Sequence, residues 1–329
     1  MLKQKELKQI SVKERVELFL LLTNIIEKET KNGKKYLDLV LRDKSTSINA
    51  KKWDNFDEFV LQARAGNIVK VLGTMDEFNN QPQIKIDKIR ITAASDNVSI
   101  EDFLPKSSRN FTEMENELNS RIERIENKCL KRIIKEILSK DNFEKYKKVP
   151  AGKAWHHAYI GGLLEHTLEI VKICDLMCDI HPEVNRDLVI SGAILHDLGK
   201  IEELEITNGF EYTNKGKLLG HIVIVANLIE KAAVKISDFP EWLKDQLLHL
   251  VLSHQGKLEY ASPVVPKTLE AIILYHADEL SAKTNAYKSA IIAETTGNTN
   301  WTRYLPLAET SLYIPKDFGN TNEFKETLF

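Results

Sequence analysis

The heptapeptide Ile194-Leu195-His196-Asp197-Leu198-Gly199-Lys200 constrains this chain more than any other stretch. An apolar helix, Leu188 to Leu195, ends in two adjacent metal-type ligands; a glycine then breaks the helix and a lysine follows. An imidazole nitrogen beside a carboxylate suits a hard-to-borderline divalent cation, and Lys200 suits an anionic substrate next to it. A His-Asp pair by itself is common in chains of this composition, so the context decides.

The context is a series of further donors. His166 lies in Gly161-Gly162-Leu163-Leu164-Glu165-His166, His221 follows Gly220, His254 lies in Ser253-His254-Gln255-Gly256, and Asp278 lies in His276-Ala277-Asp278-Glu279. Each sits on or at the end of a segment with helical apolar periodicity, so several helices can aim one ligand apiece into a shared bundle core. The order His, His-Asp, His, His, Asp resembles the HD superfamily of metal-dependent phosphohydrolases over roughly Pro150 to Lys283. That resemblance implies His166, His196, Asp197 and Asp278 as metal ligands. His221 and His254 fall where the binuclear branch carries its extra ligands, although Gly220 before the one and Gly256 two residues after the other also fit simple turn chemistry. In the two-metal reading Asp197 bridges, His166, His196 and Asp278 complete one centre, and His221 and His254 hold the other. Lys200 would add positive charge toward a developing phosphorane without acting as a ligand.

The other histidines fit this centre less well. His181 precedes a proline in a loop, while His249 and His276 lie about 140° and about 200° around their helices from His254 and Asp278. Of His156 and His157, one can face the mouth of the site, and the resemblance favours His157 as a substrate contact. Imidazoles with carboxylates favour Mn, Co, Fe, Ni or Zn over Mg or Ca, with Mn the first choice on resemblance. No thiolate joins the set, which argues against a closed structural zinc.

A chain of 329 residues favours two domains over one, because single cores stop growing at roughly 250–300 residues. No apolar run reaches the roughly 18–20 residues of a membrane span, and Met1-Leu2-Lys3-Gln4-Lys5 does not open like a signal peptide. Cys129, Cys174 and Cys178 read as ordinary thiols, so a cytoplasmic location without membrane contact is expected. The net charge of −2 hides an asymmetry: residues 1–95 hold 18 Lys/Arg against 13 Asp/Glu, leaving 28 against 35 for the rest. Such a split fits a polyanion-binding module ahead of a metal-ready region, and fits incidental surface charge equally well.

The N-terminal stretch reads as strands: Val16 to Ile26, then Tyr36 to Asp43 with Leu37, Leu39 and Leu41 on one face, then Thr46 to Ala50. A helix over Asp54 to Ala65 precedes Ile68 to Gly73 and a last strand from Ile84, whose Ile89 and Ile91 shift parity as a bulge would. Five strands with a helix between the third and fourth is the order of an OB-type barrel, a fold that commonly binds single-stranded nucleic acid. Tyr36, Trp53 and Phe78 are candidates for base stacking, and Lys35, Arg42, Lys51 and Lys52 for phosphates. Each aromatic taken singly is a better candidate for the barrel core than for a stacking surface, and Trp53, flanked by lysines, is the best placed for exposure.

Residues 95–110 are polar and irregular apart from Phe103-Leu104, and a long amphipathic helix is expected over Phe111 to Leu138. The expected organisation is thus multi-domain α and β: a five-stranded OB-type barrel (1–94), a linker (95–110) and an all-α HD-type bundle (111–329, core about 150–283). This arrangement, with Phe103-Leu104-Pro105 and the two ligand motifs, resembles the YhaM-type 3′→5′ exoribonucleases over nearly the full chain. The resemblance implies metal-dependent removal of nucleotides from 3′ ends of single-stranded RNA, with single-stranded DNA and a homo-oligomeric state left open. Two alternatives remain: a phosphohydrolase of nucleotides or cyclic dinucleotides, and a nucleic-acid-binding protein whose HD domain does not hydrolyse. The Gly-Tyr-Pro signature of the cyclic-di-GMP branch is absent after Gln255.

Overall fold

The computed structural model describes residues 3–153, 155–207, 209–294, 299–306, 308–316 and 318. Contacts divide the chain into two units. One comprises Met1–Ser108, Tyr159–Gly161 and Lys200–Leu218; the other comprises Arg109–Ala158, Gly162–Gly199 and Leu219–Phe329. Among the described residues no helix is long and apolar enough to cross a membrane.

In the first unit β1 (Arg15–Glu29), β2 (Lys35–Arg42), β3 (Ser47–Lys52), β4 (Ile68–Phe78) and β5 (Gln81–Ile91) close into a barrel in the order β1-β2-β3-β5-β4. The alternation of β2 buries Leu37, Leu39 and Leu41 completely, and they meet Leu20, Leu22, Val69, Val71 and Ile84 in one core. Each such burial takes apolar surface out of water and stabilises the barrel by about 1.5–3 kcal/mol. The β4–β5 hairpin turns on Asn79 and Asn80, with φ of 51° and 58°, the left-handed pair that a tight two-residue loop requires. Across it, Leu72 pairs with Lys88 but Gly73 pairs with Ile86, so Asp87 is the bulged residue that the parity shift implied.

Helix α1 (Asp57–Gln62) lies between β3 and β4 as expected but is shorter than Asp54 to Ala65. Asn55 takes a left-handed φ of 50° and Ala63 an extended backbone, which stops the helix at both ends. Lys52 departs from expectation more sharply. Its burial parity is that of Ile48 and Ala50, and its ammonium is buried, donating to the bulge carbonyl of Asp87 at 2.8 Å and to Asp54 at 3.1 Å. It pins β3 to β5 and is not placed to follow a phosphate. Lys52→Met is expected to lower barrel stability by about 1–3 kcal/mol, the cost of an orphaned buried acceptor, without changing the salt dependence of RNA binding. A flattened salt slope in that variant would return Lys52 to the phosphate-binding set.

The second unit is helical: α2 (Phe111–Glu123), α3 (Lys128–Ile137), α4 (Lys140–Tyr146), α5 (Gly162–Ile180), α6 (Arg186–Leu195), α9 (Glu241–Ser253) and α10 (Leu269–Glu294). Between them runs α8 (Asn214–Val234), and the short α7 (Lys200–Glu203) with the hairpin β6 (Leu204–Ile206) and β7 (Phe210–Tyr212) belongs to the first unit. The single helix expected over Phe111 to Leu138 is two. Asn127 caps α3 by accepting from the amides of Cys129 and Leu130, while Asp187 accepts from the amides of Glu126 and Asn127. Ile125 keeps the apolar phase in the break, being 2% exposed, so periodicity alone concealed it.

Every residue of α6 from Leu188 to Leu195 is buried, and the helix packs against α3, α5, α9 and α10. A helix apolar all round must sit in the middle of a bundle. Three of the elements that carry candidate ligands, α5, α9 and α10, therefore pack against the one that ends in His196-Asp197.

Candidate metal centre

Asp197 is 2% exposed and organises the site. Its two carboxylate oxygens face different histidine pairs. Oδ2 lies 3.8 Å from His166 Nε2 and 3.4 Å from His196 Nε2, while Oδ1 lies 3.2 Å from His221 Nε2 and 3.7 Å from His254 Nε2. Asp278 completes the first side, its Oδ1 standing 3.0 Å from His166 Nε2. The described residues thus contain two donor groups, His166–His196–Asp197 and Asp197–His221–His254, that share one carboxylate.

The elements explain how these side chains converge. His166 projects from the first turns of α5, and His196 and His254 sit at the C-terminal ends of α6 and α9. His221 directly follows the kink in α8, where Gly220 takes φ 72° and ψ 154°, and that turn re-aims the chain just before the ligand. Gly199 is needed for close approach: a Cβ built on it would lie 2.1 Å from the carbonyl oxygen of His221. The glycine of the heptapeptide therefore lets one ligand-bearing segment seat against another.

The donor set fits a divalent cation. Metal–nitrogen and metal–oxygen bonds of about 2.1 Å give polyhedron edges of roughly 3.0–3.4 Å, close to the separations between these ligand atoms. Ring orientation agrees. His196 Nδ1 lies 2.9 Å from the Ala193 carbonyl and His254 Nδ1 lies 2.6 Å from that of Val251. Both rings must donate from Nδ1, which leaves the Nε2 lone pairs without a proton, that of His196 toward Asp197 and that of His254 3.0 Å from the Gln255 side-chain nitrogen. His196 Nε2 is buried with no hydrogen-bond partner among the described residues, an orphan atom of the kind a cation satisfies.

Charge states follow from burial and from the carboxylates. Burial pushes His254 down, and with the neighbouring His196 outweighs the pull of Asp197 and Asp278, leaving it at about 4. It is thus a neutral donor at physiological pH. At His196 burial pulls the same way, but the Asp197 charge prevails and the imidazole is held above its ordinary value. Burial alone would raise Glu169, yet the hydrogen bonds from His157 and Ser281 hold its carboxyl below the usual range.

The remaining histidines are placed elsewhere. His181 and His276 have side chains 46% and 63% exposed, and His249 Nε2 accepts from the Lys267 amide at 3.0 Å. His157 is 1% exposed, and its Nε2 stands 3.3 Å from Glu169 Oε2. Lys200 opens α7 and is buried, 7% exposed. Sequence reasoning missed Ser281 and Glu169: Ser281 Oγ lies 2.9 Å from His166 Nδ1 and donates to Glu169 Oε2 at 2.6 Å. The available signal was spacing, since Glu169 is three residues after His166 and Ser281 three after Asp278, each pair on one helix face.

In the barrel, Tyr36 and Trp53 stack with centroids 4.7 Å apart and planes 25° from parallel. The Lys51 ammonium lies 5.6 Å from the Tyr36 ring centroid and 4.9 Å from that of Phe78, which is 56% exposed. Lys35 is exposed and pairs with Glu27 at 2.7 Å, and Arg42 is half-buried. Two aromatics beside one cation, with a third stacked on one of them, form a surface suited to stacked bases and a backbone phosphate. Cys174 and Cys178 are buried free thiols, and burial drives the Cys174 thiol far up, so it is inert.

Comparison with known proteins adds the family. The model for the HD domain matches residues 163–283, that for an OB-fold nucleic acid binding domain residues 23–92, and one described as a putative helicase residues 107–182. A 3′-5′ exoribonuclease YhaM of Listeria innocua is 37% identical over 284 residues, covering 86% of this chain and 90% of the relative. One from Bacillus subtilis is 36% identical over 281 residues, covering 85% and 88%. Among solved structures, the second OB-fold domain of replication protein A from Methanococcus maripaludis is 21% identical. It covers 26% of this chain and 92% of that one with a TM-score of 0.23, and carries no weight beside the full-length relatives. Both halves of the chain and the order in which they occur are accounted for by those relatives, and the chain belongs to the YhaM 3′-5′ exoribonuclease family.

Proposed function

We propose that this protein is a metal-dependent 3′→5′ exoribonuclease that grips single-stranded RNA with its barrel (residues 1–94). On this reading the helical domain (111–329), reached through the linker 95–110, hydrolyses the terminal phosphodiester. The supporting observation is the division of the Asp197 carboxylate, one oxygen toward His166 and His196 and the other toward His221 and His254. A carboxylate so shared suits two cations, His166, His196, Asp197 and Asp278 holding one and Asp197, His221 and His254 the other. Mn is the first choice on the family resemblance, and Co, Fe, Ni and Zn, which suit imidazole donors, are the competitors. Bound there, such cations supply Lewis acidity and a hydroxide at neutral pH. Asp197 and Asp278 supply the negative charge of the site, the histidines would bind a cation as neutral imidazoles, and Lys200 adds a positive charge three residues beyond Asp197.

The test is a 5′-labelled single-stranded RNA incubated with the protein and Mn, its products resolved by length. A ladder of progressively shortened 5′-labelled products is expected, and a matching single-stranded DNA tests the wider substrate range. Discrete internal cuts, or no cleavage with any of these metals, would overturn the assignment. Trp53→Ala separates gripping from cutting. Losing one stacking platform, worth about 1–3 kcal/mol per base, should raise KM for RNA by roughly 5-fold to 150-fold with kcat nearly unchanged. An unchanged KM would remove the Tyr36–Trp53–Lys51–Phe78 surface from the substrate path.

A further inference from the structure

The ring of His166 is not oriented in the same way as its neighbours. His196 and His254 donate from Nδ1 to backbone carbonyls, which can only accept. The partner of His166 Nδ1 is the Ser281 hydroxyl at 2.9 Å, and a hydroxyl can either accept or donate. If Ser281 donated to Nδ1, the proton of the neutral ring would sit on Nε2, the nitrogen that faces Asp278 and Asp197. That tautomer offers a cation no lone pair.

Glu169 resolves the ambiguity. A carboxylate only accepts, and Ser281 Oγ donates to Glu169 Oε2 at 2.6 Å, so the Ser281 lone pairs are what His166 meets. The carboxylate is braced in turn by His157, which is 1% exposed with its Nε2 3.3 Å from the same oxygen. His157 is itself held: its φ is 41° and its amide donates to Asn285 Oδ1 at 2.7 Å. Asp278, Ser281 and Asn285 occupy one face of α10 at steps of three and four, and His166 and Glu169 occupy one face of α5. Two helix faces and one buried loop histidine thus interlock around a single proton position.

We propose that Glu169, working through Ser281 and braced by His157, is a positioning residue that fixes His166 as the Nδ1-protonated tautomer able to bind a divalent cation through Nε2. His157 then acts from behind the ligand and not as a contact to substrate. The inference rests on the metal-ligand reading given above. Partners of this kind typically change metal affinity by about 10-fold to 100-fold when removed.

The test uses the full-length protein, free of RNA, in three measurements: Mn binding by calorimetry, the melting temperature, and the His166 tautomer by nitrogen NMR of histidine-labelled, metal-free protein. Ser281→Ala and Glu169→Ala should each weaken Mn binding by about 10-fold to 100-fold and mix or invert the His166 tautomer. Glu169→Gln, which keeps an acceptor oxygen, and Ser281→Thr, which keeps the hydroxyl, should restore both within a few-fold, which a purely structural role would not require. His166→Ala is the reference. If it loses Mn affinity while Ser281→Ala and Glu169→Ala retain both affinity and tautomer, the positioning role alone is overturned. If His166→Ala itself binds Mn as the wild type does, the ligand assignment falls and takes this inference with it.

Discussion

Replacing Asp197 with asparagine is expected to reduce hydrolysis of single-stranded RNA by about three orders of magnitude or more. The substitution keeps the shape of the side chain and removes its charge. Both donor groups share this one carboxylate, so both lose their only common anion. The charge stabilisation at stake is several kcal/mol, and every 1.36 kcal/mol is a factor of ten in rate. The fold should survive, because α6 is held by apolar burial along its length and the change lies beyond its C-terminal end. Initial rates on a 5′-labelled strand, Mn calorimetry and a thermal melt decide the matter together. Activity within tenfold of wild type at saturating Mn would refute the central role given to Asp197.

The second large effect is expected from a single methyl group. In Gly199→Ala the new Cβ would lie 2.1 Å from the His221 carbonyl oxygen, 2.8 Å from its carbonyl carbon and 3.0 Å from its Cα. All three are backbone atoms, so no side chain can swing aside, and the segment carrying His221 has to move. Overpacking of this sort costs about 1–3 kcal/mol, and a displacement near 1 Å in a catalytic array can cost about a hundredfold in rate. A melting temperature lower by several degrees, with activity down by about two orders of magnitude, is the expected pair of results. Wild-type values for both would show that the two segments do not need their close approach.

The candidate ligands themselves were legible because each carries a chemistry that a helical apolar phase would not otherwise place there. A histidine or aspartate closing or interrupting an apolar run announces a polar group bound for a core. The residues behind them were not legible for the opposite reason. Ser281 and Glu169 are ordinary on a helix surface, and only the packing of α10 on α5 turns their spacing into a hydrogen-bonded chain. In the barrel, strand count, helix position and the bulge at Asp87 followed from parity. Lys52 was misplaced because its charge was given more weight than its phase, which it shares with Ile48 and Ala50. The break between α2 and α3 escaped since Ile125 stays in apolar register across it. The local clue was Asn127, a capping residue that competes with helix continuation.

The barrel closes through unequal joints. The pairing of β4 with β5 runs from Val69–Ile91 to Phe78–Gln81, whereas the backbone ladder of β3 with β5 is Asn49–Gln83, Ala50–Ile84 and Lys51–Lys85, in parallel, with the Lys52 side chain pinned to Asp87 beside it. So short a run holds few amides, and parallel pairing is slightly the weaker kind per residue. Local opening should therefore begin there, and those amides should exchange with deuterium sooner than the ones inside the β1–β4 pairing. An opened joint turns a ring into a sheet with two bare edges, one of them beside Lys51 and Trp53. A strand that threads past those side chains would do so at the point where the cylinder is easiest to part.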